Sequence, residues 1–202
     1  MAPRLPIRSN PGIFSTILLI GGISFLLSRP LEAATPQEEV QSTVAKVLTI
    51  LRGERDEKTD KQLRAVISQR FDFREMAKRS LGSHWRSLKS DEQQEFGRLF
   101  TDLLADTYID RIEEYSNEKI IFTGERRDGD YATVESRIVP RDAQEFSIDY
   151  KLHLISGEWR VYDVVIENIS LVNNYRSQFN RVILNSSYEE LLRRMKAKLD
   201  KP

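Results

Sequence analysis

The sequence predicts an α+β fold, a curved antiparallel sheet of about four strands packed against several helices. From Thr35 to about residue 115, apolar residues recur at three-and-four spacing, the period of helices with one buried face. From Glu118 the period falls to two, and Asp128-Gly129 and Ser156-Gly157 supply turns short enough to demand antiparallel neighbours. Within residues 161–179 the period changes back from strand to helix, so this stretch marks the line where sheet and helices meet.

Taken in order, Thr35-Pro36-Gln37-Glu38 combines an N-cap, a proline at the first helical position and a reciprocal glutamate. Val40, Val44, Val47, Leu48 and Leu51 then form a helix face ending near Gly53. Residues 54–58 read as a charged loop, and residues 60–70 as a second helix with Leu63, Val66 and Ile67 inward. Asp72 and Glu75 make another capping box, opening a short helix that Gly82 is placed to end. Ser90-Asp91-Glu92-Gln93 caps the longest helix, to about residue 115, with Phe96, Leu99, Phe100, Leu103, Leu104, Thr107, Tyr108 and Ile112 on its stripe.

Candidate strands follow at residues 119–123, 131–139, 145–155 and 158–167. The third alternates most clearly. Phe146, Ile148, Tyr150, Leu152 and Leu154 face one way, and Ser147, Asp149, Lys151 and His153 the other. The fourth places Trp159, Val161 and Val165 on one face and Tyr162, Val164 and Ile166 on the other. Ser170 is an N-cap for a helix whose stripe is Leu171, Tyr175, Phe179, Val182 and Ile183, and Ser187 starts a last helix bearing Tyr188, Leu191, Leu192, Met195 and Leu199.

The N-terminus has a different character. Arg4 and Arg8 precede an apolar run of about fifteen residues, and Leu31-Glu-Ala-Ala34 follows, which is the order of a cleaved secretory leader. The run is short of the ~20 residues that a spanning helix needs. The expected division is therefore residues 1–34 as signal peptide and residues 35–202 as a single domain, exported and soluble. Without the leader the chain carries 28 basic and 30 acidic residues, a balance that gives no pull toward nucleic acid. There is no cysteine, which removes disulfides, thiolate metal sites and cysteine nucleophiles together. His84 and His153 fall in different elements, so no metal site is expected.

Catalytic motifs are equally sparse. The chain has no Gly-x-Ser-x-Gly elbow, no His-Glu-x-x-His and no phosphate-binding glycine loop. His84 and His153 read as structural or solvated. Asp163, a lone carboxylate among Val161, Val164 and Val165, requires a hydrogen-bonding or charged partner if buried, such as an arginine. The basic pairs Arg126-Arg127 and Arg193-Arg194 are too short for a nucleic-acid surface. The apolar faces themselves admit two outcomes, since a closed core and a dry ligand pocket are lined by the same Phe, Leu, Val and Tyr.

Three ordered blocks carry a family resemblance: residues 71–85, beginning Phe-Asp-Phe-Arg-Glu-Met; residues 96–115; and residues 161–179, Val-Tyr-Asp-Val-Val-Ile-Glu followed after two residues by Ser-Leu-Val-Asn-Asn-Tyr-Arg-Ser-Gln-Phe. Together they make the chain resemble the MlaC, or toluene-tolerance, family of periplasmic phospholipid carriers. The resemblance implies a lipid cavity between sheet and helices, no catalysis, and no cofactor. It also implies partners: a phospholipid or hopanoid-like lipid, an inner-membrane ABC transporter with an MCE-domain subunit, and an outer-membrane lipoprotein complex. Combined with the face assignments, it nominates Phe96, Phe100, Leu103, Tyr108, Phe146, Ile148, Tyr150, Leu152, Val161, Val165, Tyr175 and Phe179 as lipid-binding. One departure is Asn168, where the family often has glycine. A pocketed α+β enzyme acting on a hydrophobic substrate, using Asp163 or His84, and a ligand-free interaction module are the competing readings.

Overall fold

The computed structural model describes residues 34–53, 56–114, 117–141 and 143–200. Residues 1–33 of the assigned leader, the first two residues of the loop at residues 54–58 and residue 115 at the predicted end of the long helix lie outside them. Among the described residues, six α-helices and five strands follow in chain order: α1 (Pro36–Leu51), α2 (Glu57–Arg70), α3 (Phe73–Leu81), α4 (Ser90–Glu114), β1 (Lys119–Asp128), β2 (Tyr131–Val139), β3 (Phe146–Ile155), β4 (Glu158–Ile166), β5 (Ile169–Ser170), α5 (Leu171–Asn185) and α6 (Tyr188–Leu199). A 3₁₀ turn, Gly82–Ser87, links α3 to α4.

The helix starts follow the capping chemistry of the sequence. The Thr35 hydroxyl accepts from the Glu38 N–H while Glu38 receives the Thr35 N–H, so two first-turn donors are satisfied reciprocally. Asp72, Ser170 and Ser187 each accept from the N–H three residues on. Two starts differ from expectation. Asp56 caps α2, which therefore begins three residues early. Helix α4 has Ser90 inside its first turn, and the backbone N–H that Glu92 satisfies belongs to Lys89. Gly82 ends α3 at φ +61°, a conformation open to glycine and costly for other residues.

The strands form one antiparallel sheet in the order β1-β2-β3-β4-β5. The fifth strand, two residues long, turns back on β4 through Glu167 and Asn168, both at positive φ. Asn168 at φ +65° explains why glycine suits this position. Cross-strand partners share a face. Ala132, Leu152 and Val161 form one row, Val134, Tyr150 and Val164 a second, and Ser136, Ile148 and Ile166 a third.

That register corrects the reading of β4. Lys151 pairs with Asp163 but Leu152 pairs with Val161, so Tyr162 is an extra residue, a bulge that reverses the alternation beyond it. Val161, Val164 and Ile166 therefore share the apolar face, and Val165 lies opposite them, paired with Asp149. A period-two reading cannot register an inserted residue, and so it put Val165 beside Val161.

Two large packed regions result, and a third, smaller one joins Val47 and Leu51 of α1 to Leu63 of α2. Helix α1 sends Val40 against Ala132, Val134, Leu152, Trp159, Val161 and Val164 on the apolar sheet face. Helices α3 to α6 close around Met76, Phe96, Phe100, Tyr175, Phe179, Leu191 and Met195. Phe71 borders both large regions, and its neighbour Asp72 donates its N–H to the Val161 carbonyl at 2.8 Å.

Candidate functional site

The apolar sheet face has a buried floor and an accessible margin. Val134, Leu152 and Val161 are fully buried. Around them Val44, Phe122, Ile148, Tyr150, Leu154, Ile166 and Leu171 are packed against the floor yet keep part of their surface accessible. Polar groups on this face are satisfied locally: the Ser136 hydroxyl donates to the Ile148 carbonyl at 2.7 Å and is hydrogen-bonded with Tyr150. Burial pushes the Tyr150 phenol up to about 12. Tyr150 is thus largely withdrawn from bulk water, although the residue keeps part of its surface accessible.

The twelve nominated residues fall into two groups. Ile148, Tyr150, Leu152 and Val161 meet on the sheet face, and Phe146, half-buried, shares that face through its pairing with Ile138. Phe96, Phe100, Leu103, Tyr175 and Phe179 belong instead to the helical cluster. There the rings pack on one another: Phe96 and Phe179 meet edge to face at 5.7 Å, as do Phe100 and Tyr175 at 5.4 Å. Tyr108 packs at its margin, hydrogen-bonded to Tyr175, with burial pushing its phenol up to about 12. Val165 faces away from the other sheet residues. The apolar margin also contains Val44, Phe122, Ile166 and Leu171, none of them nominated from the sequence. For Ile166 the hidden bulge is the reason. Leu171 was assigned to the helical stripe, whereas Val172 takes the buried position there.

The candidate polar residues have structural partners. Asp163 is 5% exposed, and its partners are the Ser170 hydroxyl at 2.6 Å and the Val172 N–H at 3.1 Å, not an arginine. It thereby fixes the first turn of α5 to the bulged strand. His153, expected to be solvated, is largely enclosed: its side chain is 12% exposed and its Nε2 lies 3.2 Å from Asp72 Oδ2. The aromatic bulge residue Tyr162 packs on its ring and Asp72 comes up beneath it, which an alternation pattern cannot show. His84 Nε2 contacts Asn180 Oδ1 at 3.0 Å. Among the described residues no cluster of three or more His, Asp or Glu is placed to hold a metal, and no helix is long and apolar enough to cross a membrane.

Two surface recesses are formed elsewhere. One of about 350 Å³ lies beside Phe71, Phe73, Ile155 and Arg160. The other, of about 180 Å³, lies where α3 and α5 meet β3 and β4. Neither is lined by a nominated residue.

The MlaC protein family model matches residues 41–197, most of the chain. The chain belongs to the MlaC family. Its curated relatives include the intermembrane phospholipid transport system binding protein MlaC of Haemophilus influenzae, 24% identical over 127 residues, 60% of this chain and 59% of that protein. This match spans less than two thirds of the relative. The toluene tolerance protein ttg2D of Pseudomonas putida is 25% identical over 175 residues, 81% of each chain. Among solved structures, a phospholipid-binding protein from Ralstonia solanacearum in complex with a phospholipid matches with a TM-score of 0.73 and 26% identity, covering 83% of this MlaC-family chain and all of the other.

Proposed function

We propose that this MlaC-family protein is a soluble periplasmic carrier that holds the acyl chains of a phospholipid or related lipid on the apolar sheet face. It would pass the lipid between the outer membrane and an inner-membrane MCE/ABC transporter. The observation that carries the reading is the accessible margin of Val44, Phe122, Ile148, Tyr150, Ile166 and Leu171 around a buried apolar floor. The phospholipid-bound Ralstonia neighbour supports it.

The physical requirement is large. Exposing two chains of about fifteen methylenes each to water costs on the order of 24 kcal/mol, at ~0.8 kcal/mol per CH₂. A carrier has to replace that burial reversibly, and a uniformly apolar surface does so with little discrimination between head groups. The enzyme alternative gains no support from Asp163, whose carboxylate holds α5, or from His84, whose Nε2 is engaged by Asn180. On the carrier reading, delipidated protein takes up fluorescent phospholipid from vesicles, and Ile148→Asp, which sets a charge on the lipid-facing margin, abolishes uptake while the fold persists. Equal uptake by folded Ile148→Asp and wild type contradicts the assignment of the tails to this face.

A further inference from the structure

The recess of about 180 Å³ at the junction of α3, α5 and the β3–β4 pair is lined by Arg79, Lys151 and Arg176, together with the carboxylate of Asp163 and with Val172. It lies on the opposite side of the sheet from the apolar floor, because Lys151 and Asp163 pair on the face away from Leu152 and Val161. Its volume is several times the ~30 Å³ share of one liquid water. Tyr162 and Asn173 add neutral donors to the lining.

The charges there are incompletely matched. Arg79 gives its Nε–H to Glu75 at 2.9 Å and stacks with Cζ 4.2 Å from the centre of the Tyr162 ring. Lys151 sits opposite Asp163 and near Asp149, but both Asp163 oxygens already accept bonds from α5 and its cap. Among the described residues, no hydrogen bond or salt bridge engages the Lys151 ammonium or the Arg176 guanidinium. Arg176 is also held in place. A Cβ on Gly82 would lie 2.9 Å from its Nε, so the arginine lies directly over a glycine that also has φ +61°. Glycine at residue 82 thus permits the helix end and leaves the space that the arginine occupies.

We propose that this recess is a binding site for a phosphate oxyanion, held by Lys151 and Arg176 with Arg79 as the third cation. Arginine forks and a lysine point charge are the donor set that a tetrahedral oxyanion requires; Arg79 and Lys151 are half-buried here, and Arg176 is exposed at the rim. The site is separate from the acyl-chain face and does not rest on the carrier reading. Its ligand chemistry has two sources: a free phosphate, or the phosphodiester of a lipid head group.

The test titrates residues 35–202 with inorganic phosphate and, separately, with glycerophosphoglycerol, a soluble phosphodiester without acyl chains. Ionic strength is held constant with chloride, and backbone and arginine side-chain NMR shifts are followed. The expected result is saturable shifts at Asn173, Arg176 and Lys151, about tenfold weaker binding in Lys151→Gln and in Arg176→Gln, and partial recovery in Arg176→Lys. Saturation by inorganic phosphate alone identifies a free-anion site, and tighter binding of the diester identifies head-group chemistry. No saturable shift with either anion, or equal affinity in folded Lys151→Gln and wild type, overturns the proposal.

Discussion

The Ser170 hydroxyl donates to Asp163 Oδ2 at 2.6 Å and, as an acceptor, receives the Asn173 N–H at 3.0 Å. One side chain therefore caps α5 and joins that cap to a buried carboxylate on β4, so sheet and helix are registered by a single polar relay. Asp163→Ala removes the carboxylate and leaves the Val172 N–H buried without its acceptor. A loss of about 2 to 4 kcal/mol is expected, read as the shift of a urea unfolding midpoint, with about 1 kcal/mol for Ser170→Ala. Equal midpoints in Asp163→Ala and wild type would contradict the relay.

Phe100 and Ile148 separate stability from binding. Phe100 is fully buried among Phe96, Tyr175 and Phe179, so Phe100→Ala should cost about 3 to 5 kcal/mol while the molecules that remain folded keep their lipid. Ile148 retains accessible surface, and Ile148→Ala should cost less stability but lower lipid retention per folded molecule. Chemical denaturation and lipid analysis of the same samples distinguish the two.

Much of this arrangement was legible in the residues. Thr35, Asp72, Ser170 and Ser187 announce their helices because a cap is local chemistry, and β3 declares its faces because it carries no inserted residue of its own. The face of Val165 was not legible, since the Tyr162 bulge depends on how β3 and β4 align and not on either strand alone. For the same reason the aromatic stripe of α4 suggested a ligand wall, whereas Phe96 and Phe100 are covered by α5 and α6. Hydrophobic period shows that a face is covered, and the identity of the cover is a tertiary fact.

Alkaline pH should weaken the fold through its buried phenols. Burial pushes Tyr150, and likewise Tyr108, up to about 12, above the ordinary value of 10. The folded state retains these protons longer than the unfolded chain, so the stabilisation is complete below pH 10 and is lost as pH rises toward 12. Tyr150→Phe should flatten this decline when stability is followed across that range, and ultraviolet titration should show tyrosinate appearing late in the wild type.

The turn at Glu167 and Asn168 offers a gain. Both residues have positive φ, and the Glu167 carboxylate accepts the Ser147 N–H and hydroxyl, which pins the first of them. Asn168→Gly should therefore raise stability by about 0.5 kcal/mol, whereas Asn168→Val should lower it by about 1 to 2 kcal/mol. Thermal unfolding of the two variants checks the sign.

Native mass spectrometry of the protein, isolated without detergent, bears most directly on the central claim that the apolar sheet face carries hydrocarbon tails. The account predicts a population heavier than the polypeptide by the mass of a phospholipid or related lipid, and the loss of that population in folded Ile148→Asp. Protein that is repeatedly lipid-free on isolation and that also takes up no labelled phospholipid from vesicles would contradict it.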